Sequence, residues 1–215
     1  MKHKQLLIVY QSLLEAYGAL DWWPADSTFV VMVGAILTHN TAWTNVEKAI
    51  TNLRHSNCLT LERVLASSDV TLAQLIRPSG YFNIKAKRLK NLCLWVEENG
   101  GEARLAVVDT ASLRSSLLEV NGVGPETADD ILLYAFERPV FVIDTYTRRL
   151  FTKLGLIEGN EPYEALRQIF EVELEPNVSL FNQYHALIVR HAKEICMKRS
   201  DCRHCQVEDN KTQVI

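Results

Sequence analysis

Asn121-Gly122-Val123-Gly124-Pro125-Glu126-Thr127-Ala128 joins two apolar-patterned runs, one ending near Val120 and one passing through Ile131-Leu132-Leu133-Tyr134. Two glycines around one apolar residue let the backbone adopt positive φ and come close to a partner, and Pro125 suits the first position of a helix. The segment reads as a tight turn between helices that aims backbone N–H groups outward. Such groups at a helix start hold a phosphate without reading its base. Gly-x-Gly alone favours an ordinary tight αα turn; it is the longer string that shifts the reading.

Outward from this turn, most of the chain carries helical periodicity. Tyr184, Leu187, Ile188, His191 and Ile195 form one face of a helix over 182–197, and Phe29 to Leu37 is apolar nearly all round, which predicts a central helix buried on every side. Further helices are expected at roughly 3–18, 42–54, 60–67, 84–98, 112–119, 125–136, 144–154 and 162–173. Only Pro139 to Ile143 reads as extended, and one strand makes no sheet, so the class is all-α. No fixed-period repeat and no low-complexity linker occurs.

With 47% apolar residues in 215, the chain can bury a substantial core, as one large domain or two small lobes. It has no uncharged apolar run long enough to span a bilayer, and Lys2, Lys4 and Gln5 break the plan of a signal peptide, so no membrane partner and a cytoplasmic location are expected. The net charge of −3 decides nothing about nucleic acid, because the placement of basic residues matters more than their sum. Lys85, Lys87, Arg88 and Lys90, and likewise Arg148, Arg149 and Lys153, read as solvated helix faces. Five cysteines, three of them crowded into residues 196–205, fit a reducing compartment and a metal site or its remnant.

Gly122-Val123-Gly124-Pro125-Glu126-Thr127-Ala128, followed by Val142-Ile143-Asp144-Thr145, resembles the helix-hairpin-helix and the Gly/Pro-rich loop with its aspartate that mark the HhH-GPD superfamily of endonuclease III-like DNA glycosylases. The similarity runs over most of the chain. Within it, Trp22-Trp23-Pro24, Arg77-Pro78-Ser79-Gly80-Tyr81-Phe82-Asn83 and Tyr184-His185 look most like the branch of 3-methyladenine DNA glycosylases related to endonuclease III. The resemblance implies two helical lobes: a six-helix barrel carrying the hairpin, over 24–137, and a lobe of both chain ends, 1–23 and 138–215. It implies an N-glycosylase of base excision repair, a nucleoid-associated monomer acting on double-stranded DNA that holds a damaged base.

An aspartate that ends an extended run before a helix is, by its position alone, an N-cap. The resemblance adds that Asp144 is the catalytic carboxylate. Breaking an N-glycosidic bond builds positive charge on the sugar, which a carboxylate stabilises while it orients or deprotonates the attacking water. Glu126 stands where bifunctional relatives carry a lysine that attacks the sugar as an amine, and a carboxylate forms no imine. This predicts a monofunctional enzyme without strong lyase activity; by itself, Glu126 is a first-turn acid favoured by the helix dipole. Trp22, Trp23, Pro24, Trp43 and Lys193 match the base pocket of the branch, whose aromatic faces suit a cationic alkylated purine, although paired tryptophans also read as core. Leu37-Thr38-His39-Asn40-Thr41 resembles the loop that fills the gap left by a flipped base, with Asn40 inserted; Asn40 also reads as the end of a buried helix. Gly122, Val123, Gly124 and Thr127 match the strand-holding hairpin.

Cys196, Cys202 and Cys205 form C-x5-C-x2-C, resembling the family's C-x6-C-x2-C-x5-C iron–sulfur loop, but the fourth ligand is missing and Lys211 takes its place. A four-iron cluster takes four thiolates. A 4Fe-4S cluster, a zinc completed by His191 or His204, and a metal-free loop all stay open; the chemistry itself requires no cofactor. Two other functions also stay open: an endonuclease III-like glycosylase for oxidised pyrimidines, and a helix-hairpin-helix protein that binds DNA without catalysis.

Overall fold

A helix with no polar face is stable in water only when packed on all sides, and the helix formed here, α2 (Thr28–Thr38), buries every residue from Phe29 to Leu37. The computed structural model describes residues 3–23, 25–197 and 207, and among these the regular elements are all helices. With α2 they are α1 (His3–Tyr17), α3 (Trp43–His55), α4 (Leu61–Ala66), α5 (Asp69–Leu75), α6 (Phe82–Glu98), α7 (Glu102–Leu105), α8 (Thr110–Glu119), α9 (Pro125–Asp130), α10 (Thr145–Lys153), α11 (Tyr163–Leu174) and α12 (Val178–His191). A 3₁₀ turn, Arg77–Ser79, precedes α6, and α9 and α12 continue as π turns, Ile131–Ala135 and Ala192–Cys196. No described helix is long and apolar enough to cross a membrane.

The chain divides into two compact units, Ala25–Phe136 and the pair Met1–Pro24 with Glu137–Ile215. In the first, α2 is enclosed by α3, α6, α9 and the π turn after α9, while α4 and α5 lie against α6. The helix starts are fixed by short polar side chains: Ser27, Thr60, Ser68 and Asp109 each accept a hydrogen bond from the third residue beyond, which satisfies one of the donors a helix start leaves open. The α5 helix was not expected, since seven residues with only Leu72 and Ala73 buried show too little periodicity to read. Lys85, expected on a solvated face, is instead only 2% exposed.

In the second unit α1 packs on α11 and α12, and the Tyr184 hydroxyl donates to the Leu6 carbonyl at 2.7 Å. The run Pro139–Ile143 forms no strand. Its backbone finds side chains instead: the Phe141 N–H donates to Glu171 Oε1 at 3.0 Å and the Ile143 N–H to the Tyr163 hydroxyl at 3.3 Å. Phe141 stacks on Phe170 at 4.3 Å between ring centres and meets Phe181 and Tyr184 edge-on. This aromatic cluster fastens the segment that ends at Asp144. Phe141→Ala should therefore lower the free energy of unfolding by about 3–5 kcal/mol, read as a lower midpoint in urea denaturation.

Candidate active site

Asp144 is the N-cap of α10, and its Oδ1 accepts from the Thr147 N–H at 2.7 Å. Its Oδ2 lies 3.4 Å from His185 Nε2 on α12, and both side chains are buried. Burial alone would raise the carboxyl's pKa; the His185 imidazole beside it and the hydrogen bonds from Thr147 outweigh it, so the carboxyl is held below the usual carboxylate range. A fixed, ionised carboxylate in apolar surroundings can stabilise a cation forming beside it or orient a water.

Tyr146 and Lys193 extend this site. The Lys193 ammonium lies over the Tyr146 ring, 5.4 Å from its centre, although much of the side chain is exposed. Burial lowers the ammonium's pKa and the Asp144 charge raises it, whereas burial and the same charge raise that of the Tyr146 hydroxyl. Lys193 belongs to the π turn after α12 and lines a cavity of about 310 Å³ together with Trp22, Leu20 and Val189. The indole N–H of Trp22 is buried and has no hydrogen-bond partner among the described residues. Asp144, Tyr146, Lys193 and Trp22 thus form a continuous series within one unit.

The other unit holds the glycine turn and the loop after α2. Arg114 bonds Asp129 through two nitrogens, at 2.7 and 3.1 Å, and locks α8 to α9. The Trp95 indole N–H donates to Ser116 at 2.8 Å, tying α6 to α8, and Asn91 Nδ2 donates to the Asn121 carbonyl at 2.9 Å. Gly122 has φ +99°, and a Cβ there would meet the Arg88 side chain at 2.3 Å. Gly124 has an ordinary φ of −95° and open space around it. Val123 and Thr127 are buried. Asn40 is exposed with φ +52°.

The sequence profile of the HhH-GPD superfamily of base excision DNA repair proteins matches residues 33–176. The chain belongs to that superfamily. A Methanocaldococcus jannaschii protein, MJ1434, provisionally named a DNA repair glycosylase, is 44% identical over 97% of this chain and 96% of its own. Endonuclease III of Sulfolobus acidocaldarius is 28% identical over 85% of this chain and 81% of its own. The crystal structure of Helicobacter pylori 3-methyladenine DNA glycosylase (MagIII), bound to 1,N6-ethenoadenine, superposes with a TM-score of 0.77 at 30% identity, covering 90% of this chain and 98% of that one. This HhH-GPD chain is accordingly a DNA glycosylase with the all-α, two-lobed fold of the family.

Of the residues singled out from the sequence, Asp144, Lys193, Trp22 and the half-buried Trp23 fall in one unit, and Asn40, Trp43 and Gly122 to Thr127 in the other. Pro24, Cys202 and Cys205 lie outside the described residues. Cys196 is buried, and the described residues contain no group of three or more histidine, cysteine or acidic side chains that could hold a metal. Three cysteines against the four thiolates of a cluster do not make a fit, so no chemical step is routed through one. His185 and Tyr146 had no part in the site as read from the sequence. The signal was faint: a histidine inside the apolar run Tyr184 to Val189.

The two glycines of the turn should separate by stability. Gly122→Ala forces a side chain into left-handed backbone and into Arg88, at about 1–3 kcal/mol, whereas Gly124→Ala should stay within about 0.5 kcal/mol of the parent; thermal unfolding of the two variants checks both.

Proposed function

We propose that this glycosylase hydrolyses the N-glycosidic bond of an alkylated, 3-methyladenine-like base in double-stranded DNA, as a monomer and without strong lyase activity. The observation that carries the reading is the Asp144 carboxylate, kept ionised by His185 and Thr147 and linked through Tyr146 and Lys193 to a cavity walled by Trp22. That cavity has the volume of a small-molecule site, and the Trp22 side chain on its wall offers an aromatic face to a flipped base. Asp144 faces the positive charge that grows on the sugar as the bond breaks, and it orients the water that completes hydrolysis. No cofactor is needed for this chemistry. Likeness to MagIII over nearly its whole length supports an alkylated purine as substrate. Trp23, in the same unit as Trp22, supplies further aromatic surface in this reading. Asn40, exposed on its left-handed turn, fills the place the base leaves, and the open backbone at Gly124, with Gly122, Val123 and Thr127, grips a phosphate.

Lys193 favours a second reading. An ammonium on the cavity wall repels a cationic base, which suits a neutral lesion such as an oxidised pyrimidine, and the likeness to an endonuclease III agrees with that. A panel of duplexes bearing 3-methyladenine, thymine glycol and hypoxanthine separates the two, with strand scission measured before and after alkali. Scission of the 3-methyladenine duplex only after alkali is the expected result; fastest release of thymine glycol would select the second reading. In the same assay Asp144→Asn should slow single-turnover excision by about 10²–10⁴-fold, and a variant as fast as the parent would remove Asp144 from the chemistry.

Glu126 in place of an amine nucleophile leads to a separate expectation. Borohydride added during turnover should trap only traces of protein on DNA; a stoichiometric covalent adduct would overturn the monofunctional assignment.

A further inference from the structure

Lys85 is a charged side chain buried to 2% exposure in the unit that holds the Asn40 loop and the glycine turn. Its ammonium donates to three oxygens, all uncharged: the Leu37 carbonyl at 2.8 Å, Thr41 Oγ1 at 2.7 Å and the Ser79 carbonyl at 2.7 Å. The Thr41 hydroxyl in turn donates to the Ser79 carbonyl. Leu37 sits in the last turn of α2, where helix carbonyls lack partners within the helix and attract a cation. Ser79 closes the 3₁₀ turn before α6. The three acceptors therefore lie at the two ends of the Leu37–Thr41 loop and on the turn beside it, and Asn40 stands exposed between those ends with φ +52°.

A buried ammonium is a poor way to fill a core, since desolvating it costs several kcal/mol before any bond forms. Burial, with Arg88 nearby, draws its pKa down to about 8, so it is still charged at neutral pH. What the charge supplies, and a leucine or methionine cannot, is a fixed relation between the two ends of the Leu37–Thr41 loop and the turn at Ser79. The same face of α6 continues in steps of three. Arg88 fills the space below Gly122, and Asn91 bonds the Asn121 carbonyl. One helix face thus holds both the Asn40 loop and the glycine turn.

We propose that Lys85 is the positioning residue of the Asn40 loop, its ammonium clamping both ends so that Asn40 is presented in the one left-handed conformation that enters the duplex. The proposal rests on the insertion role given to Asn40 above. It predicts that Lys85 acts through Asn40, which a double-mutant cycle measures. Single-turnover release of 3-methyladenine from dimethyl sulfate-treated duplex DNA is compared for the parent, Asn40→Ala, Lys85→Met and the double variant; a thymine glycol duplex is used instead if the lesion panel selects it. Thermal unfolding confirms that each variant is folded at the assay temperature.

The expected result is a slowing of about 10-fold or more by Lys85→Met in the parent, and of no more than about 2-fold in the Asn40→Ala background. If Lys85→Met does not fold, Thr41→Val, which removes the hydroxyl from the clamp, takes its place in the cycle with the same non-additivity expected. Equal slowing in both backgrounds, or no slowing by Lys85→Met, overturns the clamp while leaving the role of Asn40 standing. Excision by Asn40→Ala as fast as by the parent removes the role of Asn40 first and the clamp with it.

Discussion

A carboxylate stays ionised in an apolar interior only when donors replace the water it has lost, and the candidate site depends on this at Asp144. The Thr147 N–H takes one oxygen and His185 stands against the other. The balance leaves the carboxyl below its usual range despite burial. Because its pKa in the folded protein is below that in the unfolded chain, the contribution to stability is present above the ordinary carboxylate pKa. It is lost as pH falls through the lowered one. The group that is proposed to face the sugar therefore also stabilises the fold across the neutral range.

The geometry around Asp144 is set by contacts that have no chemistry of their own. Phe141 sits in an aromatic cluster with Phe170, Phe181 and Tyr184 three residues upstream, and Leu150 and Phe151 are fully buried one to two turns downstream on α10. The carboxylate is thus held between two apolar anchors. Side chains locked by packing on both flanks are how a site keeps a geometry tight enough for catalysis.

The other unit follows the same logic with a cation. Lys85 is buried against helix-end carbonyls, and Arg114 is matched by a fully buried Asp129. Apolar packing makes α2 stable, but apolar contacts are non-directional and tolerate sliding. The buried polar contacts specify which turn faces which, and they lie where the loop after α2 and the glycine turn must keep their shape.

Much of the fold was legible because helix formation leaves a periodic trace. The apolar run Phe29 to Leu37, the Gly-x-Gly-Pro turn and the N-cap at Asp144 are local patterns, each set by residues within a few positions of one another. The family was legible for the same reason, since its hairpin and its aspartate lie close together along the chain. The short α5 and the two π turns were not, because one depends on tertiary contacts for its stability and the others on a hydrogen-bond register that side-chain pattern does not encode.

By itself the sequence determined that the chain is all-α, that a glycine turn precedes a helix and that an acid rather than an amine stands at position 126. Only the tertiary structure decided that His185 lies against Asp144, that Lys193 rests on Tyr146, and that Lys85 leaves the solvent to join both ends of the Leu37–Thr41 loop to the turn at Ser79. The reason is physical. Local pattern fixes backbone conformation, whereas the state of a charge depends on what surrounds it in space, and partners such as Leu37 and Thr41 for Lys85, or His185 for Asp144, come from tens of residues away.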